Sequence, residues 1–231
     1  MQVLPETIRL VAFDLDGTLV DAYPAIRDSL NYMLGHFGLP PCSLTVVKRS
    51  VGWGVDTLVG TFVNPQQKDE ALRIFREHHD RRLRRDIRLL PGAGELLSYL
   101  DRQGCRLAVA SNRPTEFCLI ILESLGIRGY FSEVRGGDSV SVPKPDPEIL
   151  RCVLKGAGIP ASEAVYVGDM TVDILCGRQA GVITVAVPTG SCTLAQIRAE
   201  KPDILVRSLD ELRALFAARQ KARFPTQKQI S

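Results

Sequence analysis

The chain has 231 residues, of which 45% are hydrophobic and 24% are charged, and its formal net charge is +3. These proportions are those of an ordinary globular protein, so they exclude collagen-like, low-complexity and disordered chains. The nearly balanced charge does not indicate a nucleic-acid-binding protein, whose surface is usually strongly basic. The length allows one large domain or two modest ones, each with a buried core.

The N-terminal segment and the cysteines indicate the compartment. Residues 1–6 lack the basic segment and long apolar run of a signal peptide, and no apolar run in the chain is long enough to span a membrane. The six cysteines lie at least 13 positions apart, so no pair has the spacing of a zinc or redox motif. We therefore expect a soluble cytoplasmic protein with reduced cysteines and no membrane or nucleic-acid partner. Whether it is a monomer or a homodimer stays open.

Short apolar runs alternate with helical patterns along most of the chain. The runs lie at residues 10–13, 107–110, 164–167 and 183–187, with weaker candidates at 131–135 and 203–206. Helical patterns cover residues 94–103, 115–125, 148–155 and 171–180. Runs that are rich in valine and lack polar alternation are typical of strands covered on both faces. The pattern predicts an α/β protein with a doubly wound, Rossmann-like parallel sheet.

One long segment interrupts this alternation. Between residues 21 and 88 every pattern is helical, at about residues 24–37, 44–49, 55–62 and 66–85. We therefore predict a core formed by residues 1–20 and 89–231, into which residues 21–88 are inserted as a helical cap domain. The polar, basic tail after about residue 217 is expected to fray.

Charged and polar residues follow the predicted strands where each one ends. Asp14-Leu15-Asp16-Gly17-Thr18 follows the first run, Ser111-Asn112-Arg113 follows the second, and Gly168-Asp169 with Asp173 follows the third. Lys144, between Pro143 and Pro145, lies in the loop before that third run. Because the carboxyl ends of parallel strands meet at one edge of a sheet, these side chains should converge there.

A convergence of Asp14, Asp16, Asp169 and Asp173 requires compensating charge. Lys144 and Arg113 supply part of it, and a set of carboxylate oxygens also favours a hard divalent cation, of which Mg²⁺ fits best. In the paired aspartates, one carboxylate can attack while the other transfers protons. The Gly17 N–H can donate to a bound anion, and Ser111 and Lys144 can bind phosphate oxygens.

These motifs, in this order, resemble those of the haloacid dehalogenase superfamily in its phosphatase branch. The resemblance extends from about Leu10 to Leu215, and residues 21–88 resemble the helical cap domain of that family. It implies hydrolysis of a small phosphorylated metabolite, in which Asp14 forms an aspartyl-phosphate and Asp16 protonates the leaving group and then activates water. It also implies that Mg²⁺ is held by the Asp14 carboxylate, the Asp16 carbonyl and Asp169, with Asp173 nearby. Ser111, Asn112 and Lys144 would then bind the phosphoryl group.

Other branches of the superfamily fit the sequence less well. Dehalogenases lack the second aspartate of the motif, which is Asp16 here, and the phosphonate-cleaving branch departs from the D-x-D pattern and uses a cap lysine. A phosphomutase of the β-phosphoglucomutase type carries the same motifs and cap, so it stays open as an alternative. A receiver-like signalling module is a remote alternative, because the helical insert and the Asp169/Asp173 pair do not fit it.

Substrate choice is expected to depend on the cap. Residues 49–56, with two glycines flanking Trp53, predict a loop that reaches toward the substrate, and together with residues 136–139 they are similar to phosphoglycolate phosphatases. Arg49 and Trp53 are the candidate specificity residues. The arginines between Arg81 and Arg85 are interpreted as solvated charge at a helix end. We also hypothesise that the Lys144-Pro145 peptide bond is cis.

Overall fold

The computed structural model describes Leu4 and residues 7–223. Its strands are β1 (Leu10–Phe13), β2 (Val20–Asp21), β3 (Arg88–Leu89), β4 (Arg106–Ala110), β5 (Phe131–Arg135), β6 (Ala164–Gly168), β7 (Ile183–Ala186) and β8 (Ile204–Leu205). Six of them form one parallel sheet in the order β5-β4-β1-β6-β7-β8. The two short strands β2 and β3 pair antiparallel, separately from that sheet.

Ten helices lie between and after these strands in the described residues. They are α1 (Tyr23–His36), α2 (Leu44–Ser50), α3 (Val55–Gly60), α4 (Lys68–Leu83), α5 (Ala93–Arg102), α6 (Thr115–Ser124), α7 (Glu148–Ala157), α8 (Thr171–Ala180), α9 (Leu194–Ala199) and α10 (Leu209–Arg223). No helix in the described part of the chain has the length and apolar character that crossing a membrane requires. The predicted α/β fold with a parallel sheet and helical insert is confirmed.

Strand β1 shows why the apolar runs carry no polar alternation. All four of its residues are buried, and successive side chains point to opposite faces of the sheet. Val11 and Phe13 pack into the larger apolar core, whereas Leu10 and Ala12 join a second core that includes Ile149 of α7. Helices therefore cover both faces of the sheet, and only the strand ends remain for polar function.

The helical segment leaves and rejoins the sheet region through the β2–β3 ribbon. Val20 pairs with Leu89 and Asp21 pairs with Arg88, whose guanidinium also lies 3.0 Å from the Asp21 carboxylate. Helices α1 to α4 lie between these two strands in sequence, and α1 packs against α4. The boundaries predicted for the core and the cap domain, residues 21 and 88, coincide with the ribbon residues, and the division into two domains stays a prediction.

The last described helix, α10, extends past the predicted start of the tail, and the expectation that the chain frays after about residue 217 stays a prediction. Helix α10 continues to Arg223 because its apolar face is buried: Leu212 and Phe216 join the main core, and α10 packs against α5. Tyr99 of α5 also donates a hydrogen bond to Gln220, at 3.1 Å. The rest of the predicted tail, residues 224–231, lies outside the described residues.

Two of the four arginines between residues 81 and 85, at the end of α4, form ion pairs. Arg82 pairs with Asp28 of α1 and with Asp86, and Arg84 pairs with Asp80 one turn before it. Pairs of this kind contribute little to stability at an exposed surface. The interpretation of the cluster as solvated charge at a helix end stays a prediction.

Candidate active site

A cavity lies between the carboxyl ends of the central strands and the helical insert. The motif residues on its wall are Asp14, Asp16, Ser111, Asn112, Arg113, Lys144 and Asp173. Opposite them are residues of the insert, namely Tyr23, Ile26, Val51, Gly52, Gly54, Val55, Leu58, Phe75 and His79. The parallel sheet therefore assembles four separate sequence segments at one edge, and the insert covers them.

Lys144 links the first and last of the motif carboxylates. Its Nζ lies 2.8 Å from Asp14 Oδ1 and 2.7 Å from Asp173 Oδ1, and it also contacts the Tyr166 hydroxyl at 2.8 Å. The side chain is only 2% exposed. Burial opposes its charge, but Asp14 and Asp173 more than compensate, so the pKa of Lys144 is raised and the ammonium persists. The Lys144-Pro145 bond is cis, as hypothesised from the sequence.

Asp169 lies beside this pair, and no cationic side chain among the described residues contacts it. Its oxygens accept from Thr18 Oγ1 at 2.9 Å and from the Ser191 N–H at 3.2 Å. The backbone at Gly190 approaches so closely that a Cβ there would overlap Asp169 Oδ2. Burial, followed by repulsion from Asp14 and Asp173, raises the pKa of Asp169 well above its usual range. The carboxylate is thus fixed in place in an environment that disfavours its charge.

The carboxylates of this cluster are suited to hold a divalent metal ion. Oxygens of Asp14, Asp169 and Asp173 lie within 4.8 Å of one another, and all three residues are buried. One ammonium, that of Lys144, contacts two of the three carboxylates, which leaves two formal negative charges uncompensated in the cluster. Hard oxygen donors with that residual charge fit Mg²⁺, which binds through one or two carboxylates and keeps several waters.

Asp16 lines the same cavity, and its carboxylate pairs with Arg113. Arg113 Nε donates to Asp16 Oδ2 at 2.7 Å and Nη2 donates to Oδ1 at 2.9 Å, which is a bidentate geometry. Burial opposes the guanidinium charge and Asp16 favours it, and the net effect raises the pKa of Arg113. The third nitrogen, Nη1, lies 2.8 Å from Nε2 of His79 in the insert. The two aspartates of the motif thus have different cationic partners.

The other predicted phosphate-binding residues, Ser111, Asn112 and Gly17, form hydrogen bonds within the protein. Ser111 is buried, and its hydroxyl accepts from the Arg113 N–H at 3.3 Å. The Asn112 amide spans two backbone segments, accepting from Lys144 N–H at 2.8 Å and donating to the Gly52 carbonyl at 2.8 Å. Gly17 differs from expectation, because the tight turn at φ 83° directs its N–H to the Val20 carbonyl at 2.8 Å. The amide predicted to bind an anion is therefore already engaged.

The loop around Trp53 approaches the motif residues through its glycines. Gly52, at φ 111°, packs so closely on Met170 that a Cβ would overlap the methionine methyl. The indole of Trp53 is 52% exposed and lines an outer groove next to the cavity. Arg49 is exposed on α2 and is not among the residues that line the cavity. The structure therefore brings the loop backbone to the site, but neither of the two predicted specificity side chains.

Sequence reasoning assigned no role to several residues that contact the motifs. Thr18, Tyr166 and Ser191 each bind a motif carboxylate or Lys144, and His79 reaches Arg113 from the insert. Thr18 is the last residue of the first motif, Asp14 to Thr18, and that position is a usable signal. Tyr166 and His79 lie in the middle of a strand and of a helix, where a polar residue carries no sequence signal of its own.

Comparison with known proteins agrees with this geometry. A family model described as haloacid dehalogenase-like hydrolase matches residues 11–187. A phosphoglycolate phosphatase of Pseudomonas fluorescens is 35% identical over 217 residues, which cover 90% of this chain and 78% of the relative. A phosphoglycolate phosphatase of Yersinia pseudotuberculosis is 33% identical over 214 residues, covering 90% and 92%.

A solved structure matches over nearly the same extent. The crystal structure of a predicted phosphoglycolate phosphatase from Haemophilus somnus superposes with a TM-score of 0.86 at 30% identity, covering 90% of this chain and 98% of that one. The residues that the family model matches, 11–187, run from β1 to β7 and include the helical insert. The chain therefore belongs to the haloacid dehalogenase-like hydrolases and is an enzyme of that family.

Proposed function

We propose that the enzyme is a magnesium-dependent phosphatase that hydrolyses a small phosphorylated metabolite through an aspartyl-phosphate on Asp14. One observation carries the proposal: the buried Asp14 carboxylate lies at the end of β1, 2.8 Å from Lys144 and beside the Asp169 and Asp173 carboxylates. A nucleophile for phosphoryl transfer needs this combination of positioning and charge neutralisation.

The proposed reaction has two chemical steps. In the first step Asp14 attacks phosphorus, the bond between phosphorus and the ester oxygen breaks, and Asp16 donates a proton to that oxygen. In the second step Asp16 takes a proton from water, the water oxygen attacks phosphorus, and the bond to Asp14 breaks. Lys144 and Ser111 hold the phosphoryl oxygens during both steps. The two positions of the D-x-D motif thus separate nucleophile from acid–base group.

The metal-binding residues in this proposal are Asp14, the Asp16 carbonyl and Asp169. Asp173 supports them, with one oxygen on Lys144 and the other on the Met170 N–H at 3.0 Å. When bound, Mg²⁺ supplies positive charge that lowers the repulsion between the phosphoryl oxygens and the aspartate nucleophile. In the part of the chain that the structure describes, the Asp169 carboxylate accepts from a hydroxyl and a backbone N–H and contacts no competing cation.

The remaining predicted site residues stay predictions. For Asn112, the two amide contacts support a role in holding the Lys144 loop and the Gly52 loop against each other. For Arg49 and Trp53, a role in substrate choice rests on the sequence pattern. The cavity wall contributed by the insert is mainly apolar, with Ile26, Val51, Val55, Leu58 and Phe75, and it limits the size of the leaving group.

The named relatives support a two-carbon acid as the first substrate to test. Phosphate release is measured with 2-phosphoglycolate, sugar phosphates and nucleotides, with and without Mg²⁺, using the wild type and the Asp14→Asn variant. We expect Mg²⁺-dependent release from at least one alkyl phosphate, fastest with 2-phosphoglycolate, and none with Asp14→Asn. Isomerisation of a sugar phosphate without free phosphate would contradict the proposal in favour of a phosphomutase.

A further inference from the structure

A continuous series of hydrogen bonds runs from the helical insert to Asp16. In α1, Ser29 Oγ donates to the Ala25 carbonyl at 2.8 Å. His79 Nδ1 in α4 lies 3.0 Å from the same Ser29 oxygen, and His79 Nε2 lies 2.8 Å from Arg113 Nη1. Arg113 then binds both oxygens of Asp16. Two helices of the insert are thus connected to the acid–base carboxylate.

The chemistry of the partners determines the form of His79. A guanidinium can only donate, so Nε2 must accept and the ring must be neutral. The proton then lies on Nδ1 and is donated to Ser29 Oγ, whose own hydrogen is directed to Ala25. The ring is 0% exposed and packs between Phe75 and Phe117, with ring centres 4.9 and 5.4 Å away. Burial, reinforced by Arg113, lowers the pKa of His79 well below its usual value.

Arg113 depends on His79 for its orientation. Both residues are buried, and the Arg113 Nη1 donor faces the insert rather than solvent. Without an acceptor from α4, that donor would be unsatisfied and the guanidinium could rotate to find another partner. Rotation would break the bidentate contact that fixes the Asp16 carboxylate.

We propose that His79 is a positioning residue for Asp16 that acts through Arg113, so that the acid–base group is aligned only while α4 is packed against α6. This inference rests on the proposed function, because it assigns to Asp16 the protonation of the leaving oxygen. The insert then does more than cover the cavity: its docking aligns the group that transfers protons.

Leaving-group dependence separates this role from a merely structural one. An alkyl oxygen must be protonated as its bond to phosphorus breaks, whereas p-nitrophenolate leaves without a proton. The ratio kcat/KM includes only the steps up to release of the leaving group, so it excludes the later hydrolysis of the aspartyl-phosphate. A misaligned Asp16 therefore lowers kcat/KM for alkyl phosphates selectively.

The test compares kcat/KM for p-nitrophenyl phosphate with that for the best alkyl phosphate of the substrate panel. We expect His79→Phe, which keeps the ring volume but has no acceptor, to lower the alkyl value about tenfold more than the aryl value. His79→Gln restores the acceptor and should recover most of the loss. Ser29→Ala, which leaves His79 in place but frees its ring, should give a smaller loss of the same kind.

A neighbouring histidine provides the matched control. His78 lies on the same helix and its Nδ1 approaches Ser29 Oγ at 3.2 Å, but its ring stacks on Tyr32 and does not reach Arg113. His78→Phe should leave the alkyl-to-aryl ratio unchanged. An equal loss for both substrates in His79→Phe, with Ser29→Ala at the wild-type ratio, overturns the inference and leaves the proposed function standing. Full activity of Asp14→Asn, or no turnover of any phosphate ester, overturns both.

Discussion

Lys144 Nζ lies 2.8 Å from Asp14 Oδ1, in an environment where both side chains are almost fully buried. The contact joins residues that are 130 positions apart in the sequence. The Lys144 ammonium neutralises part of the charge of Asp14, the proposed nucleophile, through Oδ1. It makes no such contact with the second carboxylate oxygen, Oδ2. Removing that ammonium should therefore lower the free energy of unfolding.

Replacing Lys144 with methionine keeps the length of the side chain but leaves Asp14 and Asp173 buried without their cation. Removing one partner of a buried ion pair costs about 3–5 kcal/mol. We expect the free energy of unfolding in urea, measured at pH 7.5 without Mg²⁺, to fall by about that amount. The matched control is Lys155→Met at an exposed position, which should change it by less than about 0.5 kcal/mol. Equal values for the two variants would show that the pair contributes no stability.

Mg²⁺ should stabilise the folded enzyme through Asp169. A ligand present at about 100 times its Kd adds about 2.7 kcal/mol to the free energy of unfolding, and Tm rises accordingly. Asp169→Asn removes the charged donor that has no competing ammonium, so most of the Mg²⁺-induced rise in Tm should disappear. Ca²⁺-free and Mg²⁺-free buffers serve as the reference. A rise as large as that of the wild type would place the metal elsewhere.

Gly190→Ala is expected to disturb the same carboxylate without changing any charge. A Cβ at this position overlaps Asp169 Oδ2 and comes close to the Tyr23 hydroxyl, so Asp169 must move. We expect the Mg²⁺ concentration for half-maximal activity to rise at least about tenfold, as it does when groups that orient a metal ligand are lost. Gly129→Ala, at a glycine without a positive φ where an added Cβ meets no atom within 4 Å, tests the general effect of a glycine substitution. An unchanged Mg²⁺ requirement in Gly190→Ala would contradict this prediction.

His79 should make folding stability depend on pH. Its pKa is lowered in the folded protein from an ordinary value of 6.5, so the unfolded chain takes up the proton first as pH falls. The stability that neutral His79 provides is therefore present above pH 6.5 and is lost progressively below it. Between pH 7.5 and 5.5 the wild type should lose about 1.4 kcal/mol more than His79→Gln.

Comparing the wild type with His79→Gln separates the effect of His79 from that of the neighbouring His78. His78, whose pKa is also lowered by burial and by Arg81 and Arg82, is present in both proteins, so its effect cancels. The measurement is urea unfolding at a series of pH values. Parallel pH dependences in the two proteins would show that His79 is not held neutral in the folded state.

Much of the fold and of the candidate site follows from local sequence signals. The run Leu10–Phe13 is apolar at every position because helices cover both faces of the sheet, and this is visible without coordinates. Asp14, Lys144 and Asp169 follow strands or lie in the loop before one, and the parallel sheet brings such residues to one edge. The strands and loops that position these residues can therefore be recognised from the sequence.

Contacts between segments that are distant in the sequence could not be predicted in this way. His79 meets Arg113 because α4 packs against α6, the helix that follows the Arg113 loop, and nothing in the sequence around either residue specifies that crossing. The Gly17 N–H turns to Val20 because of a positive φ that the motif permits but does not require. The buried face of α10, likewise, depends on α5, which lies about a hundred residues earlier.

The central claim is that Asp14 carries the phosphoryl group, and the Asp16→Asn variant tests it most directly. This variant can still release p-nitrophenolate, which needs no proton, but it cannot activate water, so the phosphorylated enzyme should accumulate. After reaction with ³²P-labelled p-nitrophenyl phosphate and acid quenching, we predict about one label per chain, released by hydroxylamine and located on the peptide that contains Asp14. Absence of protein-bound label, or label on another residue, would contradict the account.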